Sequence, residues 1–203
     1  HRIEGIGDKH VPWIHNVKNT DVVTAIDDED CMRILRLFNE KSGHQYLKSI
    51  GVSQETIDNL HLIGISGIGN LLSAIKTAKY FEMSSDDVIV TIATDSADMY
   101  QSRLTELKER RGEYNDIQAV KDFEKCVLAC TTDYMKELDY YGRKAIHNLK
   151  YYTWVEQQAK DVEDLNQLWN DREIWEKQFN QIKRWDELIQ EFNERTGLLK
   201  DII

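Results

Sequence analysis

"LHLIGISGIGNLLSAIKTAKYF", residues 60–81, begins as an apolar run, passes through a cluster of small residues and ends in an amphipathic pattern. The cluster places three glycines and one serine within six residues: Gly64, Ser66, Gly67 and Gly69. A glycine-rich turn at a helix start lets backbone N–H groups approach a ligand. The stretch therefore predicts a helix over 70–81. Its turn either joins two packed elements tightly or holds a ligand.

Two β-branched runs lie on either side of this stretch, "DVVTAID" (21–27) and "VIVTIAT" (88–94). Neither has a polar face, which is typical of strands buried on both sides of a parallel sheet. Between them, "DDEDCMRILRLFNE" (27–40) predicts a helix whose acids lie in the first turn, where the helix dipole favours them. "SQETIDNL" (53–60) marks another helix start. We therefore predict an α/β fold for residues 1–104.

Residues 105–203 predict an all-helical extension. Helical spacing of apolar residues runs through "DIQAVKDFEKCVLACTTDYMKEL" (116–138), "RKAIHNLKYYTWVEQQAKDVEDLNQLW" (143–169) and "REIWEKQFNQIKRWDELIQEFNERTGLL" (172–199). Gly197 is a candidate C-terminal cap of the last helix. Aromatic residues at this spacing are usually packing surface, so we expect these helices to pack on the α/β part or on a second copy.

Composition limits the function classes. The chain has 203 residues and a formal net charge of −10, which argues against nucleic acid as a partner because phosphate binding needs a basic face. No apolar stretch approaches the ~20 residues of a membrane span, and no signal peptide opens the sequence. The three cysteines form no zinc-like pattern, and His10 and His15 have no third ligand beside them, so no metal site is expected. We expect a cytoplasmic protein with reduced cysteines.

The sequence of the α/β part has too few predicted strands for a complete sheet. Two or three strands do not make a stable parallel sheet, whose faces and edges need covering. The sequence also begins with "HRIEGIG" as if in mid-domain. We therefore expect residues 1 to about 103 to close a larger sheet, whose earlier strands lie upstream or in another chain.

Three glycine or polar turns carry a family resemblance: "HRIEGIGDKHVP" (1–12), "LIGISGIGNLLSAIKTAKYF" (62–81) and "VIVTIATDSADMY" (88–100). In this order and spacing they resemble the C-terminal part of the fold-type-II pyridoxal-phosphate enzymes, the cysteine synthase and cystathionine β-synthase group. The likeness covers residues 1 to about 104. It implies the closing part of a three-layer parallel-sheet domain and pyridoxal phosphate as the cofactor of the complete enzyme.

The resemblance also implies site residues. Ser66, in the turn that Gly64 opens, matches the serine that contacts the pyridine nitrogen of the cofactor. Gly5, Ile6 and Gly7 match a glycine turn that lies against the cofactor and the substrate amine. Ser96 matches a second serine, which makes the nitrogen contact in some relatives. The assignment therefore remains open between Ser66 and Ser96. Asp95, beside Ser96, complicates it, because a nearby carboxylate can protonate the ring.

Departures from the family pattern limit what this chain does alone. Nothing in it matches the Schiff-base lysine, the asparagine loop for the substrate carboxylate or the glycine loop for the phosphate, so no catalytic residue is assigned. The resemblance implies β-elimination and β-replacement on an O-substituted serine or a similar amino acid by a complete, homodimeric enzyme. The alternative is a non-catalytic binding or assembly module on a degenerate scaffold.

Overall fold

A computed structural model describes residues 2–3, 5–7 and 10–197 of the chain. It is mostly helical, and these residues contain one sheet, of two strands. They group into two compact units. The first unit contains the described residues up to 7 and residues 22–137, and the second contains 10–21 and 138–197. Residue 104, the predicted domain boundary, lies inside a helix of the first unit.

The first unit has six α-helices: α1 (Asp28–Asn39), α2 (Lys41–Ser49), α3 (Gln54–Asn59), α4 (Ile65–Tyr80), α5 (Gln101–Arg111) and α6 (Asp116–Phe123). A π-helical segment, Glu124–Leu128, continues α6, and 3₁₀ turns occupy Leu60–Leu62 and Ala97–Tyr100. The predicted helices at 27–40 and 53–60 are confirmed. Asp27 caps α1 by accepting from the Glu29 N–H at 2.9 Å, and Ser53 caps α3 by accepting from the Thr56 N–H at 3.1 Å.

The core of the first unit forms around α1, which packs against α4, α2 and α6. Its apolar face is fully buried, as expected from helical spacing: Cys31, Met32, Ile34, Leu35 and Leu37. In α4, Ile65, Ile68 and Leu72 join the same core. This helix begins at Ile65, five residues before the predicted start at residue 70, because the glycine and serine turn is itself wound into its first turns.

The predicted parallel sheet is not observed in the described residues. Strand β1 (Val22–Thr24) pairs antiparallel with β2 (Met135–Glu137), with Val23 opposite Lys136. The sequence predicted a helix where β2 lies. Residues 88–94, the other predicted strand, form no strand, and Val88 and Val90 are 82% and 88% exposed. A strand needs neighbours for its backbone hydrogen bonds, and this segment has none among the described residues.

The second unit is helical, as predicted: α7 (Tyr140–Lys150), a π-helical segment (Tyr151–Gln157), α8 (Val162–Asn170), α9 (Ile174–Phe179) and α10 (Ile182–Thr196), with a 3₁₀ turn at Val17–Asn19. The helical pattern predicted across 143–169 is interrupted after Gln157, and α8 starts anew with Asp161 as its N-cap. Gly197 ends α10 in the left-handed conformation, with φ +69° and its N–H bonded to the Asn193 carbonyl at 2.9 Å. The predicted cap is therefore confirmed.

Segment 10–21 is held by polar side chains of the helices in the second unit. The fully buried Lys150 donates from Nζ to the carbonyls of Trp13 and His15, at 2.9 and 2.6 Å. Trp154 donates its indole N–H to the Val11 carbonyl at 2.8 Å. The buried Lys150 ammonium and the half-buried Trp154 indole therefore both have backbone partners, and neither donor is left without a hydrogen bond.

Candidate functional site

The start of α4 is the point where the predicted turns meet. Gly5 lies directly against Ser66: a Cβ at residue 5 would be 2.6 Å from Ser66 Oγ. Any other residue at position 5 would displace the hydroxyl or the turn that carries Gly5. The structure therefore brings together two of the predicted site residues that are about sixty positions apart in sequence.

Ser66 lies in the first turn of α4 and is only 3% exposed. Its hydroxyl makes no hydrogen bond to any residue that the structure describes, but it is not one of the fully buried polar atoms that lack a partner, which among the described residues are Thr24 Oγ1 and Arg33 Nε. The N-cap of α4 is Gly64, which has no side chain to satisfy the first N–H groups of the helix. An unpaired hydroxyl and uncapped amides at one helix start are donors for a polar ligand.

Asp95 lies at the same helix start. The Gly64 N–H donates to the Asp95 carbonyl at 2.9 Å, and a Cβ at Gly64 would lie 2.6 Å from the Asp95 carboxyl carbon. Tyr100 donates its hydroxyl to the carboxylate, and Thr94 donates to the other oxygen at 3.1 Å. The carboxylate is therefore held by two hydroxyls beside the positive end of a helix dipole.

From the sequence, Asp95 is predicted as a carboxylate near the ring and not as a cofactor contact. Ser96 is half-buried and precedes the 3₁₀ turn Ala97–Tyr100 without capping it through its side chain. The signal that points to Asp95 in the sequence is its position, directly after a β-branched run, where open α/β sheets bind ligands.

Gly7 and Ile6, the other two predicted residues of the glycine turn at 5–7, do not contact Ser66 in the same way as Gly5. The Gly7 N–H closes the turn by donating to the Ile3 carbonyl at 2.7 Å. Ile6 is 52% exposed, and a Cβ at Gly69 would lie 3.3 Å from its Cδ1. The turn thus approaches α4 at Gly69 as well as at Ser66.

Segment 88–93 leads into this site with its backbone largely unpaired. No backbone hydrogen bond joins it to the described residues, and Asn70 of α4 donates its side-chain amide to the Ile92 carbonyl at 3.0 Å. Gly67 lies close to the segment, since a Cβ there would be 3.7 Å from the Ala93 Cα. Exposed β-branched residues with free backbone groups are what an unpaired sheet edge presents.

Cysteine and metal chemistry find little support in the described residues. Burial first, and then the neighbouring aspartates, raise the pKa of the Cys31 thiol to about 12. Burial and Asp30 likewise raise the pKa of Cys126 to about 12, so neither thiol is a nucleophile near neutral pH. Within the part of the chain that the structure describes, no group of three or more His, Cys, Asp or Glu side chains is placed to hold a metal ion.

The arrangement has the donors to hold one edge of a planar, polar cofactor. Ser66 supplies a hydroxyl, the Gly5 backbone packs closely against it, and the start of α4 supplies amides. Comparison with protein-family models, with curated proteins and with solved structures finds no match for this chain. No helix in the described residues combines the length and the apolar character needed to cross a membrane.

Proposed function

We propose that this chain is the C-terminal part of a pyridoxal-phosphate-dependent enzyme of the cysteine synthase type. The complete enzyme would catalyse β-elimination and β-replacement on an O-substituted serine or a similar amino acid. The observation that supports this most directly is the contact of Gly5 with the Ser66 hydroxyl at the start of α4. Both residues match the family pattern, and the sequence separates them widely.

Ser66 is the residue that would meet the pyridine nitrogen. A serine hydroxyl donates a hydrogen bond but is too weak an acid to transfer its proton, so the nitrogen stays neutral. The positive end of the α4 dipole acts in the same direction, because it disfavours a protonated ring. When bound, pyridoxal phosphate supplies the electron sink of the reaction, and a neutral nitrogen moderates that sink in favour of β-chemistry.

Gly5 and the turn around it would cover the site. Because residue 5 has no Cβ, its backbone packs directly against Ser66, so the turn covers the hydroxyl from that side and a planar group would reach it from another. Asp95 is held by Tyr100 and Thr94 and lies against Gly64. Its two hydrogen bonds fix the carboxylate in place, which keeps it from competing with Ser66 for the ring nitrogen.

Segment 88–93 would provide the connection to the rest of the enzyme. Its exposed β-branched side chains and unpaired backbone suit a strand whose neighbours belong to residues outside this chain. The lysine that binds the cofactor and the loops for the phosphate and the substrate carboxylate would come from the same part of the enzyme. The resemblance implies these groups, and no residue of the chain matches them.

The test is a pair of aspartate substitutions in the complete enzyme. Ser66→Asp places a carboxylate at the nitrogen, favours its protonation and deepens the electron sink. We expect a changed absorption spectrum of the bound cofactor and slower β-replacement. Ser73→Asp, at a half-buried serine two turns further along α4, is the matched control and should leave the spectrum unchanged.

The same substitution at the second serine decides between the two candidates. If Ser96→Asp changes the spectrum and Ser66→Asp does not, the ring contact belongs to Ser96 and the assignment of Ser66 is wrong. If the complete protein binds no pyridoxal phosphate at all, the proposed function itself fails.

The alternative is a non-catalytic assembly module. One observation favours it: α10 has no buried residue, and its apolar side chains follow the spacing of a helix–helix seam, at Ile182, Trp185, Ile189 and Phe192. On this alternative the complete protein binds partners through such surfaces and shows no β-replacement activity. The cofactor spectrum of the complete protein separates the two proposals.

A further inference from the structure

An open cleft of about 640 Å³ lies in the second unit, at the end of α8 and the beginning of α9. Its volume falls in the range of sites for small molecules. It is formed by residues of the 10–21 segment, α7, α8 and α9, so it is separate from the site at the start of α4. The function proposed for the first unit does not use it.

Three cationic side chains line one part of this cleft, although the net charge of the chain is −10. Lys18, Arg143 and Arg172 line it, and the Lys144 ammonium lies 4.5 Å from the centre of the Trp169 ring, which also lines the cleft. Burial, and then the charge of Lys18, lower the pKa of Lys144, so the cations already repel one another. A bound anion would relieve this repulsion.

Two acidic residues lie near these cations, and one of them, Asp171, also lines the cleft. Asp21 accepts from the Arg143 guanidinium at 2.6 Å and is mostly exposed. Asp171 accepts from the Glu173 N–H at 2.8 Å, within the turn that leads into α9. Arg172 is exposed and has no ion pair with any residue in the described part of the chain. Its guanidinium fork is therefore available to a phosphate.

Aromatic rings form another part of the cleft. Tyr140 is 61% exposed and stands edge-to-face with Trp169, with ring centres 5.7 Å apart. Trp175 is half-buried and is held by its indole N–H on the Leu168 carbonyl, at 3.3 Å. Exposed, fixed aromatic rings are platforms on which a planar base stacks.

Asparagine amides complete the lining, from Asn16, Asn19 and Asn170. Asn16 uses its oxygen to accept from the Lys18 N–H at 3.2 Å, which leaves its NH₂ group as a donor. An asparagine amide offers a donor and an acceptor side by side, the pair that reads the edge of an adenine. Cations, rings and amides are groups that can contact the phosphate, the face and the edge of a nucleotide, respectively.

We propose that this cleft binds a nucleoside phosphate. Arg172 contacts the phosphate, and Arg143, which is paired with Asp21, and Lys18, which donates to the Trp169 carbonyl, add positive charge beside it. The base stacks on Tyr140 or Trp175, and the asparagine amides contact the base edge. The overall negative charge does not oppose this, because a single nucleotide needs only a local cluster of cations, whereas nucleic acid needs a basic face.

The test is calorimetric titration of the full chain with AMP, adenosine, ribose 5-phosphate and inorganic phosphate. We expect AMP to bind with a Kd below about 1 mM, and adenosine and inorganic phosphate each to bind at least about tenfold more weakly. Arg172→Gln should weaken AMP binding about tenfold or more, because one charged contact to the phosphate is lost. The matched control is Arg195→Gln, at an exposed arginine on α10 outside the cleft, which should leave the AMP affinity unchanged.

A second variant tests the stacking half of the proposal. Tyr140→Ala should weaken AMP binding and leave the weak binding of inorganic phosphate unchanged, because only the base contacts this ring. Absence of saturable AMP binding would overturn the proposal. Equal losses of AMP affinity in Arg172→Gln and Arg195→Gln would also overturn it. So would adenosine binding as tightly as AMP, since the phosphate would then have no specific contact in the cleft.

Discussion

The start of α4 and the contact of α7 with segment 10–21 differ in whether their polar groups have hydrogen-bond partners. Around α7, Lys150 and Trp154 each donate to backbone carbonyls of the segment that they hold. At α4, the Ser66 hydroxyl makes no hydrogen bond to the described residues, and the backbone of 88–93 bonds to them only through the Ile92 carbonyl, which accepts from the Asn70 amide. Paired groups indicate a contact that is complete. Unpaired ones mark the place where another molecule or segment belongs.

The largest difference should appear in amide hydrogen exchange of this chain. The amides of 88–93 should exchange at the rate of an unstructured peptide, since they are exposed and unbonded. Those in the middle of α7 should be protected by a factor of about 10³ or more. In the complete enzyme, segment 88–93 should become protected as well. Protection of 88–93 in the chain alone would show that its strand partner lies within these residues, against the proposal.

Removing the buried ammonium of α7 should cost the most stability. Lys150→Met leaves the carbonyls of Trp13 and His15 without donors, and we expect a loss of roughly 2–4 kcal/mol in the free energy of unfolding. Denaturant unfolding followed by tryptophan fluorescence measures it. Lys121→Met, at an exposed lysine of α6, is the control and should change stability by less than about 0.5 kcal/mol. An equal effect of the two variants would contradict the importance of the paired contact.

The same region should make stability depend on pH. Burial, and then the Lys150 charge, lower the pKa of His147 to about 4, whereas an unfolded histidine titrates near 6.5. The unfolded chain therefore binds more protons between these values. Stability from this group is present above pH 6.5 and is lost as the pH falls towards 4, by up to about 3 kcal/mol.

Replacing this histidine should flatten that dependence. His147→Gln should reduce the loss of stability between pH 6.5 and pH 4, measured by urea unfolding at several pH values. His61→Gln, at an exposed histidine, should leave the wild-type profile in place. Identical profiles for the two variants would show that His147 is not the titrating group.

The smallest effect is expected at the unpaired hydroxyl. Ser66→Ala removes a group that has no partner in the described residues, so the free energy of unfolding of this chain should change by less than about 0.5 kcal/mol, or increase slightly. Thermal unfolding of the two proteins side by side measures this. A loss comparable to that of Lys150→Met would mean that the hydroxyl is bonded within the chain, which would remove the main support for a ligand there.

The sequence correctly predicted the features that depend on residues close together in the chain. The caps at Ser53 and Gly197 follow from local geometry, and the buried face of α1 follows from helical spacing. The predicted strand at 88–94 and the parallel sheet depended on residues distant in sequence and are not observed. The β-branched pattern shows what a segment can pair with, but pairing also requires a partner.

The site was predicted in part. The glycine and serine pattern indicated Gly5 and Ser66 separately, and the structure shows that they touch. The carboxylate of Asp95 against Gly64 could not be predicted, because it depends on how the segment after 88–93 returns to the helix start. The cleft in the second unit also escaped prediction, since its lining comes from segments separated by more than a hundred residues.

The most direct test of the central proposal is reduction with borohydride in the presence of pyridoxal phosphate, followed by peptide mapping. The complete protein should carry one stoichiometric adduct, on a lysine outside residues 1–203, and this chain alone should carry none above the background of exposed lysines. The same experiment with Ser66→Asp should still give the adduct, because that residue meets the ring and not the aldehyde. A specific adduct on a lysine of this chain, or no adduct on the complete protein, would contradict the proposal that the chain is the C-terminal part of such an enzyme.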